Sequence, residues 1–227
     1  MQHYRFAGVS HFWPLTWLPL AIGSGAIVIT IVLWQSLTNQ EQAQIHRHVD
    51  LATVATSREI RLQTENRVQA LTRMSRRWAT QGGLSREHWM ADAESLLLDY
   101  PGYQAIERVD ADFYVRWIVP MSGNEAAQDF NLGTEPRRRE ALEVAREKGT
   151  VTMTRTVNLV QGEQGILVYA PIFTETDHTF DGFILGVFRV QPLFDVLLNE
   201  HVAPGYAIAI REGGTEIYRR TPSAMTG

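Results

Sequence analysis

From 149 to 190 the chain reads GTVTMTRTVNLVQGEQGILVYAPIFTETDHTFDGFILGVFRV, and no other stretch restricts the fold as much. It holds three runs rich in β-branched and aromatic residues, 151–160, 166–173 and 183–190, with turn residues between them. Runs of this length and composition form strands, and short turn-rich links join such strands as antiparallel neighbours.

The elements upstream complete a mixed domain. Ser85 is placed to cap a helix over 86–99, with Trp89, Ala93, Leu96, Leu97 and Tyr100 on its buried face and Pro101-Gly102 ending it. Runs 103–109 and 113–119 then form a hairpin through Asp110-Ala111-Asp112. A polar loop covers 120–133. Thr134 caps the next helix, Pro136 sits in its first turn and Gly149 follows its last residue, with Ala141, Leu142, Val144 and Ala145 as its apolar side. Five antiparallel strands with helices on one face follow the plan of a PAS-like sensor module, an analogy of fold alone. Beyond it, 192–200 reads as a short helix, and 206–211 with 216–220 as a hairpin around Gly213-Gly214. That hairpin is expected to begin a second, incomplete module of the same kind.

The amino-terminal part is different. No acidic or basic residue other than histidine lies between Arg5 and Glu41, and 15–37 is dominated by Leu, Ile, Val, Ala and Gly. About 20 apolar residues span a hydrocarbon core as a helix. Trp13, Trp17 and Trp34 fit interfacial anchors near its ends. A cleaved signal peptide is the competing reading, but the run exceeds the 7–15 apolar residues such a peptide uses. From 40 to 80 there is neither Pro nor Gly. Ile45, Val49, Ala52, Thr56, Ile60, Val68, Leu71, Met74 and Trp78 form one stripe at spacings of three and four, which predicts a long stalk helix continuing the span. The stripe suits packing on its own domain or a parallel dimer seam, and both readings stand at this point.

The expected organisation is therefore a tail over 1–12, a transmembrane helix over 13–37 and a stalk helix over 38–81. A membrane-distal PAS-like module follows over 84–190, and the start of a membrane-proximal one over 191–227. The fold class is α+β.

Composition narrows the chemistry. The formal charge of -4 argues against a nucleic-acid binder, and with no cysteine the chain has no disulfide and no thiolate chemistry. There is no phosphate-binding Gly-rich loop, no GxSxG elbow and no HExxH pair. His46 and His48 are two apart and point in different directions on a helix, so they do not hold one metal ion between them. No enzyme activity, metal or cofactor is expected. A membrane-anchored hydrolase and a purely structural dimeric anchor are the alternatives to a sensor.

An ordered set of segments carries a resemblance. Tyr100-Pro101-Gly102-Tyr103-Gln104-Ala105-Ile106 leads into Val109-Asp110, and Trp117-Ile118-Val119-Pro120 follows. Next come Ala145-Arg146-Glu147-Lys148-Gly149, Thr152-Met153-Thr154-Arg155 and Leu159-Val160-Gln161-Gly162. Gly165-Ile166-Leu167-Val168-Tyr169-Ala170-Pro171-Ile172-Phe173 comes after them. Asp181-Gly182-Phe183 and Gly186-Val187-Phe188-Arg189-Val190 close the set. Together, over roughly 60–220, these resemble a CHASE domain, the extracellular sensory region of membrane-bound histidine kinases and nucleotide cyclases, plant cytokinin receptors among them. The resemblance implies two PAS-like modules on a stalk helix, an extracytoplasmic (periplasmic) location, a small-molecule ligand in the distal module and signalling as a homodimer through the stalk. An output domain would lie outside this chain.

In a PAS-like module the pocket lies between the sheet and the loop and helix that cover it, which points to Trp117, Met121, Arg138, Thr154, Tyr169 and Phe188 as ligand-binding candidates. The plant receptors resemble this chain in the helix before Gly149, where they carry an acidic residue that reads adenine. Counting back from Gly149 places Arg138 there. A guanidinium offers only donors, so the resemblance at this position implies an anionic ligand in place of a cytokinin. Tyr169 needs a partner for its hydroxyl if buried. Trp117 and Phe188 also suit plain core positions, and a solvated basic face is the alternative for Arg138. Arg155 and Arg189 are expected to pair with Asp181 or Glu163 at the surface.

Overall fold

A computed structural model describes residues 17–222, without the side chains of residues 17–22, 37–43, 45 and 46. Contacts divide the chain into two compact units, Met1–Thr53 and Val54–Gly227.

One helix, α1 (Trp17–Thr80), contributes to both. In the first unit its described side chains over 23–36 are all exposed, and they include Ile27, Val28, Ile29, Ile31, Val32 and Leu33. Among the described residues no helix is long and apolar enough to cross a membrane. Residues 13–16 of the expected span, and the side chains of Trp17 and His46, lie outside the described part.

In the second unit α1 is followed by α2 (Arg86–Asp99), β1 (Ala105–Val109), β2 (Val115–Val119), α3 (Pro136–Lys148), β3 (Thr152–Met153) and β4 (Val157–Asn158). Then come β5 (Gln164–Phe173), β6 (Phe180–Arg189), α4 (Val190–Leu197), β7 (Ile208–Glu212) and β8 (Thr215–Arg220). The main sheet runs β2-β1-β6-β5-β3, with β4 also on β5, and all its pairs are antiparallel. β7 and β8 form a separate two-stranded sheet.

Helix ends follow their capping residues. The Ser85 side chain accepts from the His88 N–H at the start of α2, and Gly149 closes α3 in the left-handed conformation, φ 62°. The cap of α3 differs from the expected Thr134. Thr134 ends a 3-10 turn (Leu132–Thr134), and Glu135 is the cap, its carboxylate accepting from the Arg138 N–H at 2.8 Å.

Two expectations about the sheet are corrected. The run 151–160 is two short strands rather than one. At the break, Thr154 Oγ1 accepts from Leu167 N at 3.0 Å, and Thr156 N donates to the Glu212 carboxylate at 3.2 Å. Thr154 N still donates to the Leu167 carbonyl at 2.9 Å, and side chains take the other bonds. Secondly, helices cover both faces of the sheet, not one. β6 (FDGFILGVFR) is buried from Phe183 to Phe188, on both faces of its pleat.

The pairing register separates the faces. Ile118, Glu107, Leu185, Tyr169 and Thr152 stand opposite one another across five strands. With Ala105, Val109, Leu167 and Val187 they face α3, whose Ala141, Leu142 and Ala145 close that core. Thr152 Oγ1 donates to the Ala141 carbonyl at 2.7 Å, tying α3 to the sheet edge. The next row, Trp117, Arg108, Ile184 and Ala170, points the other way. It meets Ala70, Leu71, Met74 and Trp78 of α1, Trp89 and Ala93 of α2, and Leu193, Phe194 and Leu197 of α4. The lower part of the stalk stripe therefore packs on its own domain. Gly186 permits this approach. A Cβ there would stand 2.7 Å from Leu71 Cδ1 and 2.9 Å from the Tyr103 ring.

Candidate functional site

β1 reads AIERV and is buried at every position, so alternation sends its two charged residues to opposite faces. Arg108 turns to α1. Its guanidinium lies 4.3 Å from the Trp78 ring centroid, pairs with Asp181 at 3.0 Å and donates to the Asp181 carbonyl at 2.8 Å. Trp78 Nε1 donates to the same Asp181 carboxylate at 2.6 Å. Burial lowers the Arg108 pKa, and Asp181 opposes that shift.

Glu107 turns to α3 and is 2 % exposed. Arg138, on the first turns of α3, is 4 % exposed. Both line a small cavity of about 10 Å³, with Leu132, Leu159, Gln161 and Leu185 among its other walls. One guanidinium N–H of Arg138 goes to the Asn158 carbonyl, and its carbon lies 5.5 Å from the Phe130 ring centroid. Arg138 Nε is buried without a hydrogen bond, as is the hydroxyl of the neighbouring Tyr169. Burial raises the Glu107 pKa from 4.5 to about 8, against the opposing field of Arg138. It raises that of Tyr169 as well, also against Arg138.

The segment 120–134 and the turn at 159–162 cover this cavity. Asn124, wholly buried, joins them. Its Oδ1 accepts from Gln104 Nε2 at 2.9 Å and from Gln161 Nε2 at 3.0 Å, while its Nδ2 donates to the Pro120 carbonyl at 2.9 Å.

A second, open groove of about 1140 Å³ runs between α3, the β3–β4 edge and the β7–β8 hairpin. Its charged walls are Glu135, Arg137, Glu140, Arg155 and Glu212. Among the described residues no group of His, Asp and Glu is arranged to hold a metal ion.

The six sequence candidates do not share one site. Arg138 and Tyr169 come together on the α3 face. Thr154 is at the sheet edge, beside the open groove, with its hydroxyl bonded to Leu167 N. Met121 is exposed at the start of the cover. Trp117 and Phe188 are on the opposite face. Trp117 packs edge-on against Trp78 at 5.6 Å and lies 5.5 Å from Trp89, and Phe188 lies 4.4 Å from Tyr103. Arg189 pairs with Glu163 at 3.4 Å, one of its two expected partners. Glu107 was missed by sequence reasoning. Its signal was a carboxylate two positions from Ala105 and two from Val109, on the inward side of the strand.

Comparisons with known proteins bear on the fold. A search of curated proteins returns no match. Among solved structures the chain is similar to an extracellular ligand binding receptor from Desulfohalobium retbaense, with TM-score 0.61, 18 % identity and 74 % of this chain covered. The match spans 30 % of that receptor, well under two thirds of its length. The ligand-binding domain of the Pseudomonas aeruginosa amino acid chemoreceptor PctC, in complex with GABA, matches with TM-score 0.56 and 14 % identity over 75 % of this chain and 74 % of that one. That of the Pseudomonas fluorescens chemoreceptor CtaA, in complex with L-serine, matches with TM-score 0.53 and 16 % identity over 74 % and 71 %. At these identities the likeness is one of fold. The sequence profile of the CHASE domain matches residues 83–217, more than half of the chain. The chain belongs to the CHASE domain family.

Proposed function

We propose that this chain is a membrane-anchored extracytoplasmic sensor whose Val54–Gly227 unit binds a small polar ligand in the cavity under α3. The observation that carries the reading is a buried guanidinium with an unused donor, Arg138 Nε, beside an unpartnered Tyr169 hydroxyl. Unsatisfied buried donors are costly in a structural core, and a ligand with acceptor oxygens in this cavity would serve the Arg138 guanidinium. The fold supports the reading, because its solved neighbours include domains in complex with amino acids. At about 10 Å³ the cavity has room for roughly one water, so a ligand enters by displacing the 120–134 and 159–162 cover.

β1 supplies a route for the signal. Adjacent residues Glu107 and Arg108 touch the cavity and α1 respectively, so a shift of this strand bears on both. Exposed Leu51, Val54 and Leu62 on α1 support a homodimer seam. The charge-free window before Glu41 and the exposed apolar side chains over 27–33 support anchorage in a lipid bilayer. We read β7–β8 as the beginning of a second module, and the signal as passing to an output domain outside this chain.

A thermal-shift screen of the full chain in detergent against small carboxylates, amino acids and purines tests the reading. A ligand at a hundred times its dissociation constant stabilises by about 2.7 kcal/mol. The expected result is a shift with one of these classes that Arg138→Ala abolishes. No shift with any class, together with Arg138→Ala and Tyr169→Ala variants unchanged in every property, overturns it.

A further inference from the structure

Glu107 is a carboxyl buried inside the main sheet, 2 % exposed. It stands between Ile118 and Leu185 in the row facing α3, with neither hydrogen bond nor ion pair to its carboxyl among the described residues. An apolar residue of similar volume would serve the core better. Arg138 reaches the same cavity from α3, and the carboxyl and the guanidinium line it without joining in an ion pair. A structural ion pair would close on itself. Here both residues line the cavity with bonding capacity left over, and Arg138 keeps an unbonded Nε.

We infer that the cavity takes a small zwitterion, an amine-bearing carboxylic acid, with Glu107 receiving the ammonium group and Arg138 the carboxylate. The inference rests on the sensor reading above and specifies the ligand class. A bare carboxylate would serve Arg138 and leave the buried Glu107 carboxyl without a partner. A bare amine would serve Glu107 and repel Arg138. Only a ligand with both charges compensates both walls.

Binding is then linked to a proton. The titratable groups that act on Glu107 are Arg138 from α3 and the Tyr169 phenol from β5, and Glu135, the cap of α3, acts on Tyr169. The packed β2 and β6 neighbours, Ile118 and Leu185, carry no charge. With its pKa raised to about 8 by burial, Glu107 holds a proton at neutral pH. An incoming ammonium favours the carboxylate, so this proton leaves to bulk water as the ligand enters. Tyr169, its pKa also raised by burial, stays neutral throughout. Affinity therefore rises with pH towards 8, by up to about tenfold per unit.

Calorimetric titration of the full chain tests this. The probes are glycine, β-alanine and 4-aminobutyrate, with butyrate and butylamine as matched single-charge controls, in buffers of different ionisation enthalpy. The expected result is that one zwitterion binds at least about tenfold more tightly than either control, with net proton release at pH 7. Glu107→Gln and Arg138→Gln should each weaken it by about tenfold or more, and Glu107→Gln should abolish the proton release. Butyrate binding as tightly as the zwitterions, in an Arg138-dependent way, overturns the ligand class and leaves the sensor reading standing. Zwitterion binding unchanged in both variants overturns the site. No zwitterion binding, or binding without proton release, overturns the class. Should Glu107→Gln fail to fold, the proton count on the unaltered chain still decides.

Discussion

Glu107 leaves a signature in stability as well as in binding. Its carboxyl titrates near 4.5 in an open chain and about 8 in the fold. Between those values the folded chain holds a proton that the unfolded chain has lost, so stability declines as pH rises through this window. Thermal melts of the full chain should show a midpoint falling from about pH 5 to 8, and Glu107→Gln should flatten that decline. A midpoint equally pH-dependent in the variant would contradict the buried protonated carboxyl. Arg108, one residue on, makes a different prediction. Asp181→Ala leaves a buried guanidinium with its carboxylate partner gone and frees Trp78 Nε1. The cost should be roughly 2–3 kcal/mol, less than for a fully buried pair because Asp181 is partly open to water. Urea unfolding measures it, and a change under about 0.5 kcal/mol would show that this cluster does not fasten α1 to the sheet.

At the scale of elements, Gly186 sets the distance between α1 and β6. Gly186→Ala puts a methyl group within 2.7 Å of Leu71, which is fully buried, and against Tyr103, whose hydroxyl is tied to the Arg67 carbonyl at 2.9 Å. The substitution should destabilise by about 1–3 kcal/mol, as overpacking does, and raise amide exchange over residues 67–78. Unchanged exchange there would place the α1 contact elsewhere. The elements were also the most legible part of the sequence. Ser85, Pro136 and Gly149 marked helix ends by their backbone chemistry, and the 149–190 runs marked strands. The coverage of both faces was written in FILGVF, which is apolar at every position, but the five-strand plan drew attention away from it. The break at Thr154–Thr156 was hidden, because it depends on Glu212, more than fifty residues away in sequence and on a different hairpin.

The site was less legible than the fold for the same reason. Trp117 and Phe188 looked like pocket residues because aromatic side chains suit both cores and ligands, and only the register with Arg108 and Ile166 assigns them to the α1 face. A charged residue inside a strand reads as solvent-facing by default, and only the packing of α3 over β1 makes Glu107 a buried group.

For the whole molecule, the proposed ligand cavity lies on one face of the sheet and α1 on the other, and the proposed homodimer pairs along α1. Leu51→Glu with Val54→Glu should weaken self-association by about tenfold or more in sedimentation of the full chain in detergent, without altering the melt of the Val54–Gly227 unit. A chain that is monomeric before the change would contradict the seam. The location of the ligand is the central claim, and hydrogen exchange with and without a saturating small ligand tests it most directly. With glycine, 4-aminobutyrate, butyrate and adenine tried in turn, the ligand that binds should protect the amides of 120–134, 159–162 and the first turns of α3. Protection confined to the groove beside β7–β8, with the α3-face cover unchanged, would contradict it.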